Sequence, residues 1–434
     1  MPIRIAIAAV LLSSCAAAAD FDNEAGVYTI SALPSAQSEA ERMDRMALSD
    51  QQPAGRFVRK GETLMIGVDD LPDGTSLSAV VGFLPMWGSN LNQQVQPIDG
   101  ETRFRANQDG PLFFRLIAED GVDAEAIIRV QGGEPLPLYI DGAMDAQDWA
   151  DELSAHDGAP FVQLFGEMAM ITLPASVYAR DPIDDPVETF ATIDRVLQLQ
   201  NELAGFDSQT ERDRPTPLRV HYLVDFRVSA KDRENFYMYA TDQFVGMLDN
   251  NTADLTDPMR LREQWGIWHE TGHTHQQNSW TFESLTEVNV NLFSLYVQEA
   301  FGRPNALGVS EDGEPTHFER AQAYLDNDPP SLLDAPDDDE FFFIRLVMFH
   351  QLKETYGWDL YKDLHKHFRA NPLDADASDQ DKADALIEAM CEVTGHDLRP
   401  FFERWVLVAS DDADARIEAQ GYAALDGDPS TIFE

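Results

Sequence analysis

Cysteine is almost absent from this sequence. Its 434 residues contain two, Cys15 and Cys391. Cys15 is either removed with a leader or lipidated, so Cys391 has no partner and no disulfide is expected. A cysteine-rich structural zinc site is ruled out on the same ground. Basic residues are the second scarcity: 31 Lys and Arg face 77 Asp and Glu, a formal net charge of −46. Nucleic acid is excluded as a partner, because affinity for it comes largely from Lys and Arg on phosphates. Binding an anionic membrane through a basic patch is excluded with it. The surplus acid reads as a solvated shell rather than as a selective cation-binding surface. Long apolar runs are the third: beyond the N-terminus no stretch is long and apolar enough to cross a bilayer as a helix. What remains is a globular composition, 44% hydrophobic and 10% aromatic, with room for two or three domains.

The N-terminus, MPIRIAIAAVLLSSCAAAADFD, places Arg4 before an apolar run from Ile5 to Leu12 and then small residues. This is a secretory signal, too short to remain as a membrane span. Ala17-Ala18-Ala19 before Asp20 fits an ordinary cleavage site. Leu12-Ser13-Ser14-Cys15 fits a bacterial lipobox, and the balance leans to lipidation of Cys15. The expected location is secreted, periplasmic or outer-membrane lipoprotein, with membrane contact only through that lipid.

The chain divides by pattern into a leader (1–19), an N-terminal β-sandwich (20–135), a mixed α/β middle domain (136–310) and a mainly helical C-terminal subdomain (311–434). RFVRKGETLMIGV, PLFFRLIAED and AEAIIRVQGG read as short strands separated by turn residues. ETFATIDRVLQLQNELAG carries Phe190, Ile193, Val196, Leu197 and Leu203 at helical spacing. Asp257-Pro258 is a helix start, from which MRLREQWGIWHETGHTHQQ can run as one helix. SLTEVNVNLFSLYVQEAFG is a second. The class is α+β, with no internal repeat.

His269-Glu270-Thr271-Gly272-His273 fits H-E-x-x-H. Residues four apart share one helix face, so both imidazoles can reach a single Zn²⁺ at about 2.0–2.1 Å. A catalytic zinc needs a third protein ligand and an open position. Downstream, Glu287, Asn291 and Ser294 fall on one side of a helix whose other side carries Leu285, Val288, Leu292 and Leu295. A lone acid on an otherwise buried helix is costly unless paired or metal-bound, which favours Glu287 as the third ligand, with Glu283 as the alternative. Glu270 would take a proton from zinc-bound water and pass it to the leaving amine. The oxyanion still needs a donor, and His275, His350, Tyr222, Tyr237 and Tyr239 stay open for that role. His275 points away from His273 on a helix and reads as a residue that supports a ligand from behind or makes an ordinary hydrogen bond. Gln276 reads as an orienter of a ligand. Trp265, Trp268 and Trp280 read as core, with a sugar- or peptide-binding wall as the alternative. Cys391, at helical spacing in ALIEAMCEVTG, reads as a buried small apolar residue. Residues 374–384, DADASDQDKAD, fail as an EF-hand, since Asp379 stands where glycine is needed and Ala385 where glutamate is needed.

WHETGHTHQQNSW followed by TEVNVNLFSLYV resembles the enhancin-like, mucin-degrading zinc metallopeptidases (peptidase family M 60). PAGRFVRKGETLMIGV, GGEPLPLYIDG, APFVQLFGEMAMITLPA and FHQLKETYGWDLYKDL extend the resemblance over roughly residues 50–370. It implies a gluzincin-like zinc endopeptidase acting on O-glycosylated protein or peptide substrates, with His269, His273 and Glu287 as ligands and Glu270 as base. Many members carry carbohydrate-binding modules, and no segment here reads as one. The competing expectation is a non-catalytic glycan- or mucin-binding surface protein that retains the zinc site. The sequence says nothing of oligomeric state.

Overall fold

The computed structural model describes residues 21–22, 25–83, 92–96, 98–118, 122–225, 238–310, 313–327, 329–334 and 339–434. The leader with Cys15, and Tyr237, lie outside the described residues. The first sheet runs, in spatial order, Phe21–Asp22, Val27–Ser31, Glu125–Gln131, Thr63–Val68 and Glu101–Arg105. The second runs Glu134–Pro135, Gln52–Val58, Gly110–Ala118, Thr75–Gly82 and Asn92–Val95. Their pairings are antiparallel. Tyr28, Ile66 and Ile128 from one sheet meet Leu77, Leu112 and Phe114 from the other in one core, which makes the pair a sandwich. Glu125–Gln131 alternates buried and exposed along its length, as a strand with one wet face must. Gln52–Val58 is instead buried throughout, and Gly110–Ala118 nearly so. The second sheet turns its outer face, through Val80 and Phe113, onto Leu138, Phe165 and Met170 of the next unit.

That unit is built on a six-stranded mixed sheet ordered Leu138–Ile140, Phe161–Phe165, Ala169–Pro174, Val220–Val224, Phe244–Met247 and Met238–Thr241. The last strand is an edge, antiparallel to Phe244–Met247. Helix Pro186–Leu203 starts with Asp185 as N-cap and proline in its first turn. Its Phe190, Ile193 and Leu197 pack with Leu164, Ile171 and Tyr222 of the sheet. Each such buried side chain contributes about 1.5–3 kcal/mol. A large helical core then joins Leu285, Val288 and Leu292 to Phe349, Leu364, Ile387 and Phe402, so residues either side of position 310 share it. The class is α+β, as the pattern predicts. No helix among the described residues is long and apolar enough to cross a membrane.

One expectation fails. The stretch from 259 to 277 is not one helix but two, Pro258–Leu261 and Trp265–His273. Glu263 and Gln264 both donate to the Arg260 carbonyl in a tight turn, and Gln264 then adopts an extended ψ of 100°. After His273 the chain tightens again, with His275 N donating to Gly272 O at 2.8 Å. The motif therefore sits on a nine-residue helix of its own. The second segment is closer to expectation: a 3-10 turn at Glu283–Leu285 leads into helices Thr286–Asn289 and Asn291–Ala300, with Val290 between them at helical φ −55° and ψ −36°.

Candidate metal centre

The short motif helix is held from three sides. On the sheet side, the Thr271 and Tyr222 hydroxyls share a hydrogen bond of 2.8 Å. From helix Pro186–Leu203, Gln200 Nε2 donates to the Trp268 carbonyl at 2.7 Å. On the third side lies the Glu287 segment, and Gly272 is what lets it approach. A Cβ at Gly272 would stand 3.1 Å from Val290 Cγ2 and 3.2 Å from the Val290 carbonyl oxygen, tighter than side chains normally tolerate.

That close approach brings three candidate metal-binding atoms together. His269 Nε2 lies 2.9 Å from Glu287 Oε2, His273 Nε2 lies 3.4 Å from the same oxygen, and the two Nε2 atoms are 3.1 Å apart. Ligands of a tetrahedral ion held at 2.0–2.1 Å stand about 3.3–3.4 Å from one another, so the triangle is slightly tight but of the right size. Among the described residues this is the one group of three such side chains.

The tautomers also fit a cation. His269 Nδ1 is 2.8 Å from Asn291 Oδ1, which also accepts from Trp265 Nε1 at 2.9 Å. Indole nitrogen only donates, so the Asn291 oxygen must face it, and His269 Nδ1 must carry the hydrogen. His273 Nδ1 is 2.5 Å from Gln276 Oε1. Gln276 Nε2 donates to the Thr286 carbonyl at 2.6 Å and to Asn289 Oδ1. Its oxygen is therefore the atom that faces His273. With both Nδ1 atoms donating, both Nε2 lone pairs point at the space shared with Glu287. Only a proton or a cation can hold that contact together.

The Ala240 backbone N–H on the edge strand lies near the Glu270 carboxylate and favours its charged form. Burial raises its carboxyl above the usual range, with His269 and His273 pulling it down and Glu287 adding to the rise. Burial also pushes Glu287 up, but hydrogen bonds with His269 and His273 outweigh that and hold it well below the carboxylate range. Burial lowers His273 while hydrogen bonding and charge from Glu287 more than restore it, and its net shift is upward.

Of the two acids weighed as third ligand, Glu287 joins the histidines. Glu283 is exposed at the start of its 3-10 turn, where its backbone N–H faces Asp379 at 3.4 Å. Of the donors weighed for an oxyanion, the four among the described residues have other partners. Tyr222 is bonded to Thr271 and Tyr239 donates to Asp225 Oδ2 at 2.6 Å. His275 contacts Asn201 Oδ1 at 3.1 Å, and His350 contacts the Glu434 carbonyl oxygen at 3.2 Å. Trp268 and Trp280 are fully buried core residues. Trp265 is half-buried and tilts against Phe343. Cys391 is buried, with burial pushing its thiol up to about 11. The acidic run at 374–384 resolves into a helix start, where Ser378 and Asp381 form a capping box. Sequence reasoning missed Asn291 as the partner of His269. Its signal was present: it stands one turn after Glu287, polar on a buried helix.

Comparison with known proteins places this geometry in context. The family model described as Peptidase M60, enhancin and enhancin-like matches residues 132–406. A TRPM8 channel-associated factor homolog of Xenopus laevis is 26% identical over 283 residues, 64% of this chain and 29% of that protein. A putative lipoprotein AcfD homolog of Escherichia coli is 23% identical over 350 residues, 70% of this chain and 21% of that protein. The chain thus spans under a third of the length of these relatives. Among solved structures, a functionally unknown conserved protein from Bacillus anthracis superposes with a TM-score of 0.81 at 26% identity, covering 93% of this chain and 80% of that one. A metallopeptidase solved in complex with Tn antigen gives a TM-score of 0.76 at 17% identity, covering 95% of this chain and 80% of that one.

Proposed function

The chain belongs to the Peptidase M60, enhancin and enhancin-like family, and from that premise we propose that it is a zinc metalloendopeptidase that cuts glycosylated, mucin-like proteins outside the bacterial cytoplasm. The observation that carries the reading is the convergence of His269 Nε2, His273 Nε2 and Glu287 Oε2, with both histidine tautomers fixed and Glu270 beside them. Those three side chains would hold the ion. Three protein ligands leave one position for substrate or water, which is the pattern of a catalytic rather than a structural zinc. When bound, zinc would supply a Lewis acid that polarises a peptide carbonyl and acidifies a water.

The chain's own residues do the rest. Glu270 takes a proton from the attacking water and returns it to the leaving amine. The Ala240 N–H on the edge strand favours the charged form of Glu270. Asn291 and Gln276 hold the two imidazoles so that neither ring turns its N–H toward the ion. The mucin-like substrate is supported by the family and by the fold shared with a metallopeptidase that binds Tn antigen. Export is supported by the N-terminal apolar run and by a relative named a putative lipoprotein, with Cys15 as the lipid attachment point in the anchored form.

The test is zinc stoichiometry on wild type and Glu270→Gln, alongside digestion of an O-glycosylated mucin. One zinc in each, with mucin cut only by wild type, is the expected result. A wild type that stays zinc-free under metal-replete conditions sinks the reading. One zinc in each with no cleavage would favour the alternative, a non-catalytic mucin-binding protein, which retention of uncut mucin by the zinc-loaded chain would establish.

A further inference from the structure

We infer that Trp265 is a positioning residue of the metal centre: its indole N–H locks the Asn291 amide so that His269 can offer only Nε2 to a cation. The inference rests on the metal-centre reading above. A side-chain amide is nearly symmetric in shape, so Asn291 can in principle face His269 with either its oxygen or its NH₂. The two faces have opposite consequences. With the oxygen toward the ring, Nδ1 carries the hydrogen and the Nε2 lone pair is free. With the NH₂ toward the ring, Nδ1 becomes the acceptor, the hydrogen moves to Nε2, and the lone pair needed at the shared point is lost.

Two contacts forbid the second state. Asn291 Nδ2 donates to the Glu287 carbonyl at 2.9 Å, one turn back on its own segment. Asn291 Oδ1 accepts from Trp265 Nε1 at 2.9 Å. Turning the amide would set N–H against the indole N–H and oxygen against the carbonyl oxygen. The first contact belongs to the Glu287 segment itself. Trp265 is the lock supplied by the motif helix, one turn ahead of His269, so the same helix that presents the ligand also fixes its tautomer. The ring of Trp265 has a second neighbourhood: with Phe343 and His317 it bounds a surface groove of about 570 Å³. Phenylalanine is therefore the informative replacement, since it keeps an aromatic wall there and removes only the N–H.

The experiment has two readouts. Zinc affinity, by chelator competition, should weaken about tenfold in W265F, the low end of what loss of an outer partner costs. In an N291D background the carboxylate presents an acceptor whichever way it turns, so adding W265F there should cost less than twofold. Equal losses in the two backgrounds would make Trp265 a packing residue and overturn the proposal. The second readout uses the metal-free protein: the Asn291 side-chain NH₂ protons should exchange with solvent at least tenfold faster in W265F. Unchanged exchange would also overturn the lock. This measurement needs no zinc, so it decides the proposal even if the protein binds no metal and the functional reading fails.

Discussion

Gln276→Leu removes the one group that orients His273 while keeping a side chain of similar bulk. Gln276 is buried, and its oxygen accepts from His273 Nδ1 at 2.5 Å. Leucine leaves that N–H without a partner in a site where His273 itself is buried. An orphaned buried donor costs about 1–3 kcal/mol. The Thr286 carbonyl loses its donor too, but Thr286 is only half-buried, so water replaces much of that bond. For the metal, loss of an orienting partner weakens affinity about 10–100-fold, which is about 1.4–2.7 kcal/mol. The two estimates agree because both measure one event, the release of His273 from a single tautomer. The assay is chelator competition at fixed pH, with turnover measured at saturating zinc. Zinc affinity should fall about 10–100-fold, while turnover recovers once zinc saturates the site. Zinc binding by Gln276→Leu within twofold of wild type would refute the reasoning.

Two further outcomes are expected. Glu287→Ala should lose zinc on dialysis against a weak chelator that leaves the wild type loaded; unchanged zinc content would pass the role to Glu283. Asp194 lies on helix Pro186–Leu203 with its Oδ1 shielded from solvent and unbonded. Burial first, then the charges of Glu167 and Asp141, raise its carboxyl from 3.8 to about 7. Between those pH values the folded protein keeps a proton that the unfolded chain has released, so stability falls as pH rises across the window. Asp194→Asn abolishes that fall, and in urea unfolding it should be more stable than wild type at pH 8 by up to about 4 kcal/mol, with little difference at pH 3.5. A wild type and variant with parallel stability curves from pH 4 to 8 would contradict it.

What the sequence made legible was local. His269 and His273 announce themselves because four residues make one helical turn, and Glu287 because an acid stands alone on a buried helix. Phe190, Ile193 and Leu197 declare the helix that backs the sheet for the same reason of spacing. What stayed hidden depends on partners far along the chain. Asn291 acquires its role through His269, 22 residues earlier, and Thr271 meets Tyr222 from 49 residues away. The break after Leu261 escaped because nothing in REQWG carries a strong helix-stopping residue at the position that turns; the backbone turns there to seat Trp268, whose indole donates to the Leu261 carbonyl at 2.7 Å. The tyrosines and histidines weighed for the oxyanion could not be separated by composition, because each is defined by its hydrogen-bond partner rather than by its own type. The burial of strand Gln52–Val58 likewise depends on distant partners, such as Phe161, which stacks on Phe57.

The span of the family match is not the unit that holds the site. The match begins at residue 132, yet residues 44–50, between the second strand and Gln52–Val58, are stitched into the structure around the motif. Asp44, in the left-handed region at φ 56°, accepts from Asn278 N through its carbonyl at 2.9 Å and from Ser279 N through Oδ2 at 3.1 Å. These are the residues just past the motif helix and Gln276. Ala47 accepts from Gln243 N at 2.6 Å and donates to Asp242 Oδ1 at 3.1 Å. That fixes the hairpin whose edge strand carries Ala240, the residue whose backbone N–H lies near the Glu270 carboxylate. Ser49 exchanges backbone hydrogen bonds with Arg219 beside the central strand. Asp50 is fully buried and pairs with Arg115 of the second sheet at 2.6 Å. Each buried backbone group left without its partner costs about 1–3 kcal/mol, against a total stability of about 5–15 kcal/mol for a native protein. Losing several at once, together with the cover that Val80 and Phe113 give to Leu138 and Met170, removes most of that margin. The sandwich is therefore part of the scaffold that sets Glu270 and the third-ligand segment in place.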